Sequence, residues 1–315
     1  MIGKKCKVAT WALNNRIMHG KTQEEMADIA LEKLSLLAED KPDLVCFPEI
    51  FLKTGGDLNN PDWVKIAQRS VEMMQKKAAE MKCYVATSIY EPSQKHSDLR
   101  YNCSVLIGRD GNIAGKYRKN HTVVMESEKL KVIPSGDLPV FDTDFGRIGM
   151  LVCFDIGWRD TWKAIAEKGA RMIIWASAYD GGSLLNTYAA HNVYYVVSSV
   201  RTDHAKIIDL TGRTIKQSSV WDGLAMATVD LNTELFHIDQ QYNRIEKLRK
   251  ALGSKVTINT YSEENYFTIE PNDPEWPMER IKKEFDFINY KDYHAIATKV
   301  QEEWREKYFE TDVLD

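Results

Sequence analysis

Cys153 closes the apolar run Gly149-Met150-Leu151-Val152 and is followed by Phe154, Asp155, Gly157, Trp158, Arg159 and Asp160, a polar and aromatic exit into a helix. A thiol that only fills a core is followed by more apolar strand or by a turn. This one is delivered to a strand end, where a thiolate can attack an electrophilic carbon. Free cysteine more often packs as a small hydrophobe, so the position needs partners before it reads as a nucleophile. Two other segments supply them. Glu49 follows the apolar stretch Leu44-Val45-Cys46-Phe47 and Pro48, which sets its carboxylate at the C-terminal end of a strand, where open α/β sheets build ligand crevices. A carboxylate beside a thiol can hold it as thiolate or take its proton during attack, and can later activate water. Lys119 stands in Tyr117-Arg118-Lys119-Asn120-His121. A fixed ammonium near a thiol lowers the thiol's pKa and can face the oxyanion formed when sulfur adds to a carbonyl or nitrile carbon. Taken singly, Glu49 reads as a solvated acid and Lys119 as part of a basic loop.

The segments between these residues read as alternating strands and helices. Residues 7 to 13 form a strand, and Thr22 with Glu25 makes a capping box for a helix that aligns Met26, Ile29, Ala30, Leu34 and Leu37. Asp43 to Phe47 is a short strand, Asp62 to Met81 a long helix, and Cys83 to Ile89 the next strand. Arg109-Asp110-Gly111-Asn112 joins strands 102 to 108 and 113 to 117 as a hairpin. Strand 147 to 152, helix 161 to 168 closed by Gly169, strand 172 to 176, helix 186 to 192, and strands 194 to 200, 206 to 209 and 224 to 230 continue the series. Helices alternating with strands, and hairpins beside them, predict an α/β layered domain with mixed sheets. The last eighty or so residues differ: a helix from Tyr242 to Leu252 capped by Gly253, a loop around Pro271 and Pro274, and a final helix from Asp292 to Phe309. Tyr293, Ile296, Ala297, Val300, Trp304 and Tyr308 make a stripe on that final helix, of the kind that enters a core or a subunit contact.

Composition narrows the partners. The 315 residues are 43% hydrophobic and 28% charged, an ordinary globular balance. A net charge of -4, with lysines interspersed among acids, excludes a nucleic-acid surface. No window approaches a membrane span, and Met1 to Lys7 leads into a strand without a secretory signal. Cys6, Cys46, Cys83, Cys103 and Cys153 are an odd set lying mostly in apolar runs, which fits reduced thiols in the cytoplasm. No Cys-x-x-Cys or paired-histidine spacing points to zinc.

In the order Glu, Lys, Cys, the blocks Phe47-Pro48-Glu49, Tyr117-Arg118-Lys119-Asn120-His121 and Cys153-Phe154-Asp155 resemble the signature blocks of the nitrilase (carbon-nitrogen hydrolase) superfamily. Gly169-Ala170 before an apolar strand is similar to its helix-to-strand joint, and the likeness covers residues 5 to 232. The resemblance implies a four-layer α-β-β-α sandwich, with a carbon-nitrogen hydrolase domain over residues 1 to 235. A C-terminal helical extension, residues 236 to 315, would pack on the domain or on a neighbouring subunit. It also implies a Glu49, Lys119, Cys153 triad, an oxyanion hole made by Lys119 and the Phe154 backbone N–H, no metal or organic cofactor, and a homo-oligomer associating through the face near the site. Members commonly add a second glutamate between the lysine and the cysteine. Glu126 and Glu128 compete for it, and Glu128-Lys129 followed by Pro134-Ser135-Gly136 favours Glu128 as the closer likeness. Many members carry proline where Arg159 stands, and several amidase branches place a substrate-carboxylate arginine at the position of Gly157. Trp158, Trp175 and Tyr179 follow strand ends and could shape an apolar substrate pocket.

The reaction this implies is amidase-like: Cys153 attacks a small linear amide or N-carbamoyl carbon, ammonia or amine departs, and water activated by Glu49 cleaves the thioester. The same triad would serve nitrile hydrolysis or acyl transfer to an amine. Two other readings stand beside it: a catalytically silent scaffold of the same fold, and a Cys-His hydrolase using His121 or His191.

Overall fold

The computed structural model describes residues 5–52 and 62–309. The chain divides into two compact units, the larger ending at Leu231 and the smaller beginning at Asn232.

The larger unit begins with β1 (Cys6–Trp11), a short α1 (Asn15–Met18) and α2 (Gln23–Ser35), then β2 (Leu44–Cys46), α3 (Trp63–Met81), β3 (Tyr84–Pro92), β4 (Arg100–Ile107) and β5 (Ile113–Arg118). The second half runs α4 (Val124–Glu128), β6 (Val140–Thr143), β7 (Gly146–Val152), α5 (Arg159–Glu167), β8 (Met172–Ser177), α6 (Ser183–Asn192), β9 (Tyr195–Val200), β10 (Lys206–Ile208), β11 (Thr214–Gln217) and β12 (Leu224–Val229). The expected capping box is present: the Thr22 hydroxyl accepts from the Glu25 N–H at 3.1 Å and the Glu25 carboxylate from the Thr22 N–H at 2.7 Å.

Two six-stranded sheets result, ordered β12-β1-β2-β3-β4-β5 and β11-β10-β9-β8-β7-β6. Each has three parallel strands at its centre, β1-β2-β3 and β7-β8-β9, because a helix crosses between each successive pair, and antiparallel neighbours outside them. Helices α2 and α3 cover the first sheet, burying Met26, Ala30, Leu34, Val71, Met74 and Ala78 against Val45, Val85 and Val105. On the second sheet Gly149 has no side chain because Ile165 of α5 sits there; a Cβ would lie 2.3 Å from its Cδ1. The sheets meet through buried hydroxyls: Thr10 donates to the Ser198 carbonyl at 2.7 Å, and Ser199 to the Trp11 carbonyl at 2.7 Å. Each hydroxyl finds a carbonyl acceptor, so neither is a buried polar cost. The α-β-β-α sandwich is therefore formed as expected.

The smaller unit departs from a purely helical extension. It holds β13 (Glu234–His237), α7 (Tyr242–Leu252), β14 (Val256–Tyr261), β15 (Tyr266–Pro271), α8 (Met278–Phe285) and α9 (Tyr290–Tyr308). The strands form an antiparallel sheet in the order β13-β15-β14, whose Phe236, Phe267 and Ile269 pack with Leu248, Ile281 and Phe285 in a core of their own. The stripe on α9 is not core of this chain: no residue of that helix is buried, and Ile296, Val300 and Trp304 are exposed. None of the described helices is long and apolar enough to cross a membrane.

Candidate active site

Glu49, Lys119 and Cys153 line one cavity of about 710 Å³. Glu49 comes from the segment after β2, Lys119 from the residue after β5, and Cys153 from the residue after β7, so the two sheets each deliver chemistry to a shared rim. The Lys119 ammonium is almost wholly buried. It donates to Glu49 Oε1 at 3.0 Å and to Glu126 Oε2 at 2.8 Å. Burial works against the charged form, but Glu49, the Cys153 sulfur and Glu126 outweigh it and hold Lys119 above its ordinary pKa, so the site contains a buried cation.

Of the two candidates for a second glutamate, Glu126 meets Lys119 in the cavity and Glu128, the one the sequence favours, does not. Glu126 is 5% exposed and Glu128 faces solvent. The two are separated by two positions on α4, about 200° around a helix, so only one can turn inward. Glu126 is fixed there by the Val123 N–H at 2.9 Å and by Asn102.

Asn102, on β4, is a site residue that the motifs do not reveal. Its side-chain Nδ2 donates to Glu49 Oε1 at 2.7 Å and to Glu126 Oε1 at 2.9 Å, and its backbone carbonyl accepts from the Lys119 backbone N–H at 2.8 Å, so one buried residue sets the spacing of three charged groups. Little in the sequence singles it out, since β4 also carries the buried polar residues Arg100 and Ser104.

Cys153 opens a turn of 3₁₀ type, Cys153–Gly157, and has φ +46°, a left-handed conformation uncommon for a residue with a side chain. Asp155, wholly buried, holds the turn. It accepts from the Tyr117 hydroxyl at 2.7 Å, the Val152 N–H at 2.8 Å and the His121 N–H at 3.0 Å, and pairs with His121 Nδ1 at 2.8 Å. Asp155 thereby ties the cysteine turn to the loop that carries Lys119. His121 is spent on this pairing and on stacking against Trp158, ring centroids 4.0 Å apart, while His191 lies exposed at the end of α6; neither lines the cavity. A histidine general base for Cys153 is not provided by either.

The aromatic residues sort differently from expectation. Tyr179 and Phe154 line the cavity. Trp158 does not; it stacks on His121 and meets the Phe154 ring edge-on. Trp175 is fully buried, and its indole N–H donates to the Cys153 carbonyl at 3.1 Å, so it supports the turn from behind instead of meeting a substrate.

The thiol is not the pre-lowered one the nearby ammonium suggested. Burial and the Glu49 carboxylate push Cys153 up from 9.0 to about 11, against the lowering effects of Lys119, the Ala178 N–H and the Ser177 side chain. Burial and the neighbouring carboxylate thus favour the neutral thiol over the thiolate at neutral pH. The arrangement can therefore transfer the thiol proton to Glu49 as sulfur attacks, but it does not store a thiolate. Titration should show this: the ultraviolet thiolate absorbance of the protein, less that of its Cys153→Ser variant, should stay flat through neutral pH and grow only as pH nears about 11. A band already complete at neutral pH would contradict the reading. Among the described residues no cluster of histidine, cysteine, aspartate or glutamate is arranged to hold a metal ion.

Comparison with known proteins identifies the family and the fold. The carbon-nitrogen hydrolase family model matches residues 7–234. A "Probable nitrilase" of Schizosaccharomyces pombe is 28% identical over 211 residues, 60% of this chain and 76% of the relative. The omega-amidase of Bos taurus is 26% identical over 241 residues, 66% and 84% of the two chains. Among solved structures, an amidase from Nesterenkonia sp. superposes with a TM-score of 0.64 at 17% identity, covering 73% of this chain and 92% of that one, a likeness of fold. With the family model spanning most of its length, the chain belongs to the carbon-nitrogen hydrolase family of the nitrilase superfamily.

Proposed function

We propose that the protein hydrolyses small linear amides, with N-carbamoyl compounds as the nearest alternative substrates, through a thioester on Cys153. The observation that carries this reading is the buried Lys119 ammonium held between Glu49 and Glu126 in the same cavity as the thiol. Taking three charges out of water costs several kcal/mol per ion, a cost a silent scaffold has no reason to bear at a cavity wall.

In the reaction, Glu49 takes the proton from Cys153 as Sγ bonds to the amide carbon. The tetrahedral oxyanion faces Lys119 and the Phe154 N–H. Glu49 returns the proton to the departing nitrogen, the C–N bond breaks, and ammonia or an amine leaves. A water then gives a proton to Glu49 and its oxygen attacks the thioester carbon; the C–S bond breaks, the acid departs, and the sulfur recovers its proton from Glu49. Glu126 and Asn102 touch no reacting atom in this scheme and act by positioning Lys119 and Glu49.

The family's amide-cleaving relatives support amides over nitriles as substrates. The test is product release across linear amides, N-carbamoyl compounds and nitriles: acid and ammonia from amides is the expected result, and release from nitriles alone would overturn the reading. Comparing two variants checks the positioning. Glu126→Gln should lower kcat by about 100-fold, since misplacing a catalytic group by an ångström has that effect. Glu128→Gln, exposed and outside the cavity, should change kcat/KM by no more than about twofold. The reverse order would return the role to Glu128.

A further inference from the structure

A second cavity, of about 450 Å³, opens in the larger unit, and neither Cys153, Glu49 nor Lys119 is among its walls. It takes Lys116 and Arg118 from β5, Ser135 and Asp137 from the segment leading into β6, and Lys168 from the end of α5. Lys116 and Arg118 stand two positions apart on a strand and so turn to one face, where Glu91 of β3 meets both, at 2.8 Å and 2.7 Å. Three cations and one acid line the space. Glu91 answers two of the cations at once, and Asp137 forms an ion pair with none of them, so three positive charges face two negative ones and a positive excess is left.

The donors are set in advance. Arg118 Nε is taken by Glu91, and its guanidinium lies over the Tyr101 ring, 4.4 Å from the centroid, which fixes the plane of the fork. No acceptor among the described residues meets its Nη1 or Nη2. Lys168 gives one N–H to the Leu138 carbonyl at 2.7 Å and Lys116 gives one to Glu91, so each ammonium keeps donors to spare. Ser135 Oγ accepts from the Asp137 N–H at 3.3 Å and still has its own proton to donate. The carbonyl end of α5 disfavours an anion, but Arg147 Nη1 bonds the Lys168 carbonyl there at 3.4 Å and offsets it.

The fork suits two oxygens of one phosphoryl group, with the ammonium groups as point charges around it. Asp137 opposes a bare multivalent anion and accepts from a hydroxyl. The space is of the size that encloses a small molecule. It also adjoins the catalytic lysine without touching its ammonium: Arg118 directly precedes Lys119, and the Ser135 N–H donates to the Lys119 carbonyl at 2.9 Å. A ligand that bridges Arg118 and Ser135 braces the Lys119 backbone from both sides.

We infer that this cavity binds a small phosphate monoester bearing hydroxyl groups, of sugar-phosphate size, and that binding steadies Lys119 and raises turnover. The site lies apart from the thiol and does not depend on which amide is cleaved.

Calorimetry on the full chain with ribose 5-phosphate, inorganic phosphate and ribose tests the site. Ribose 5-phosphate should bind saturably and at least about 10-fold more tightly than inorganic phosphate, and ribose should not bind. Arg118→Gln, and separately the double variant Lys116→Gln with Lys168→Gln, should each weaken binding by about 10-fold or more, while Cys153→Ala should leave it unchanged. The double variant should melt as the parent does and keep its basal kcat within about twofold, because both side chains are exposed and touch no catalytic group. Saturating ribose 5-phosphate should raise the parent's kcat by about fivefold, and the same concentration should not raise that of the double variant. Absence of saturable binding, inorganic phosphate binding as tightly as the ester, or binding indifferent to these substitutions overturns the inference. So does competition between ribose 5-phosphate and an amide substrate, which would place the ester in the catalytic cavity. Binding that depends on these residues but leaves kcat unchanged keeps the site and overturns its coupling to Lys119. Absence of turnover with every amide counts against the hydrolytic reading alone, since the binding results are read without it.

Discussion

The Cys153→Ala variant should lose amide hydrolysis by at least about 10⁴-fold in kcat while keeping its fold and its capacity to bind substrate. Loss on this scale follows because every bond-making step passes through the sulfur, and no neighbouring side chain can substitute. The residual chemistry is whatever Lys119 and the backbone donors do for a direct attack by water. The fold should survive, because the turn is held from outside the side chain, by the four contacts of Asp155 and by the Trp175 indole on the Cys153 carbonyl. Ammonia release and thermal melting on the same preparation separate the two effects. Retained hydrolysis in a folded variant would remove Cys153 from the mechanism.

Glu49→Gln should be nearly as damaging, with a fall of about 10² to 10⁴-fold in kcat, the range associated with a positioned acid-base group. Its diagnostic value lies in a second change of the opposite sense. The Glu49 carboxylate is one of the causes holding the Cys153 thiol up at about 11, so removing its charge should move the thiol's pKa down and raise the thiolate fraction at every pH below that value. A more acidic nucleophile and a slower enzyme together identify Glu49 as the proton carrier. If activity instead rose with the thiolate fraction, Glu49 would be only an electrostatic neighbour. Lys119 keeps its partner Glu126 at 2.8 Å in this variant, so the buried cation is not abandoned.

Much of this is legible in the sequence, for identifiable reasons. The α2 start can be read because the Thr22 and Glu25 side chains satisfy each other's backbone locally. The hairpin of β4 and β5 can be read because the Asp110-Gly111 turn needs the positive φ of Gly111, +80°. Glu49, Lys119 and Cys153 can be read only together: each alone has a commoner structural use, and it is the three blocks in order, each near the end of a strand, that carry the signal. Glu126 cannot be separated from Glu128 by pattern, because α4 is five residues long and has no apolar periodicity to fix its inward face. Trp175 is misplaced by the sequence because a strand's end position does not say which face its side chain takes; a shift of one residue reverses it. The sheet of the C-terminal unit escapes notice although Val256-Thr257-Ile258 alternates, since the β14–β15 connection, Ser262-Glu263-Glu264-Asn265, carries no Gly or Pro turn signal and β13 is set apart from both by α7. The α9 stripe shows the limit of periodicity: it marks a face but not what covers it.

The central claim is that an acyl group passes through the sulfur of Cys153, and intact-protein mass spectrometry after acid quench tests it most directly. During turnover of a linear amide, the protein should gain the mass of the substrate's acyl group, lost again on treatment with hydroxylamine and mapped to the peptide containing Cys153. The adduct should persist longer in Glu49→Gln wherever it forms, because water activation fails with the same residue. Turnover without any adduct, or an adduct on another residue, would contradict the mechanism.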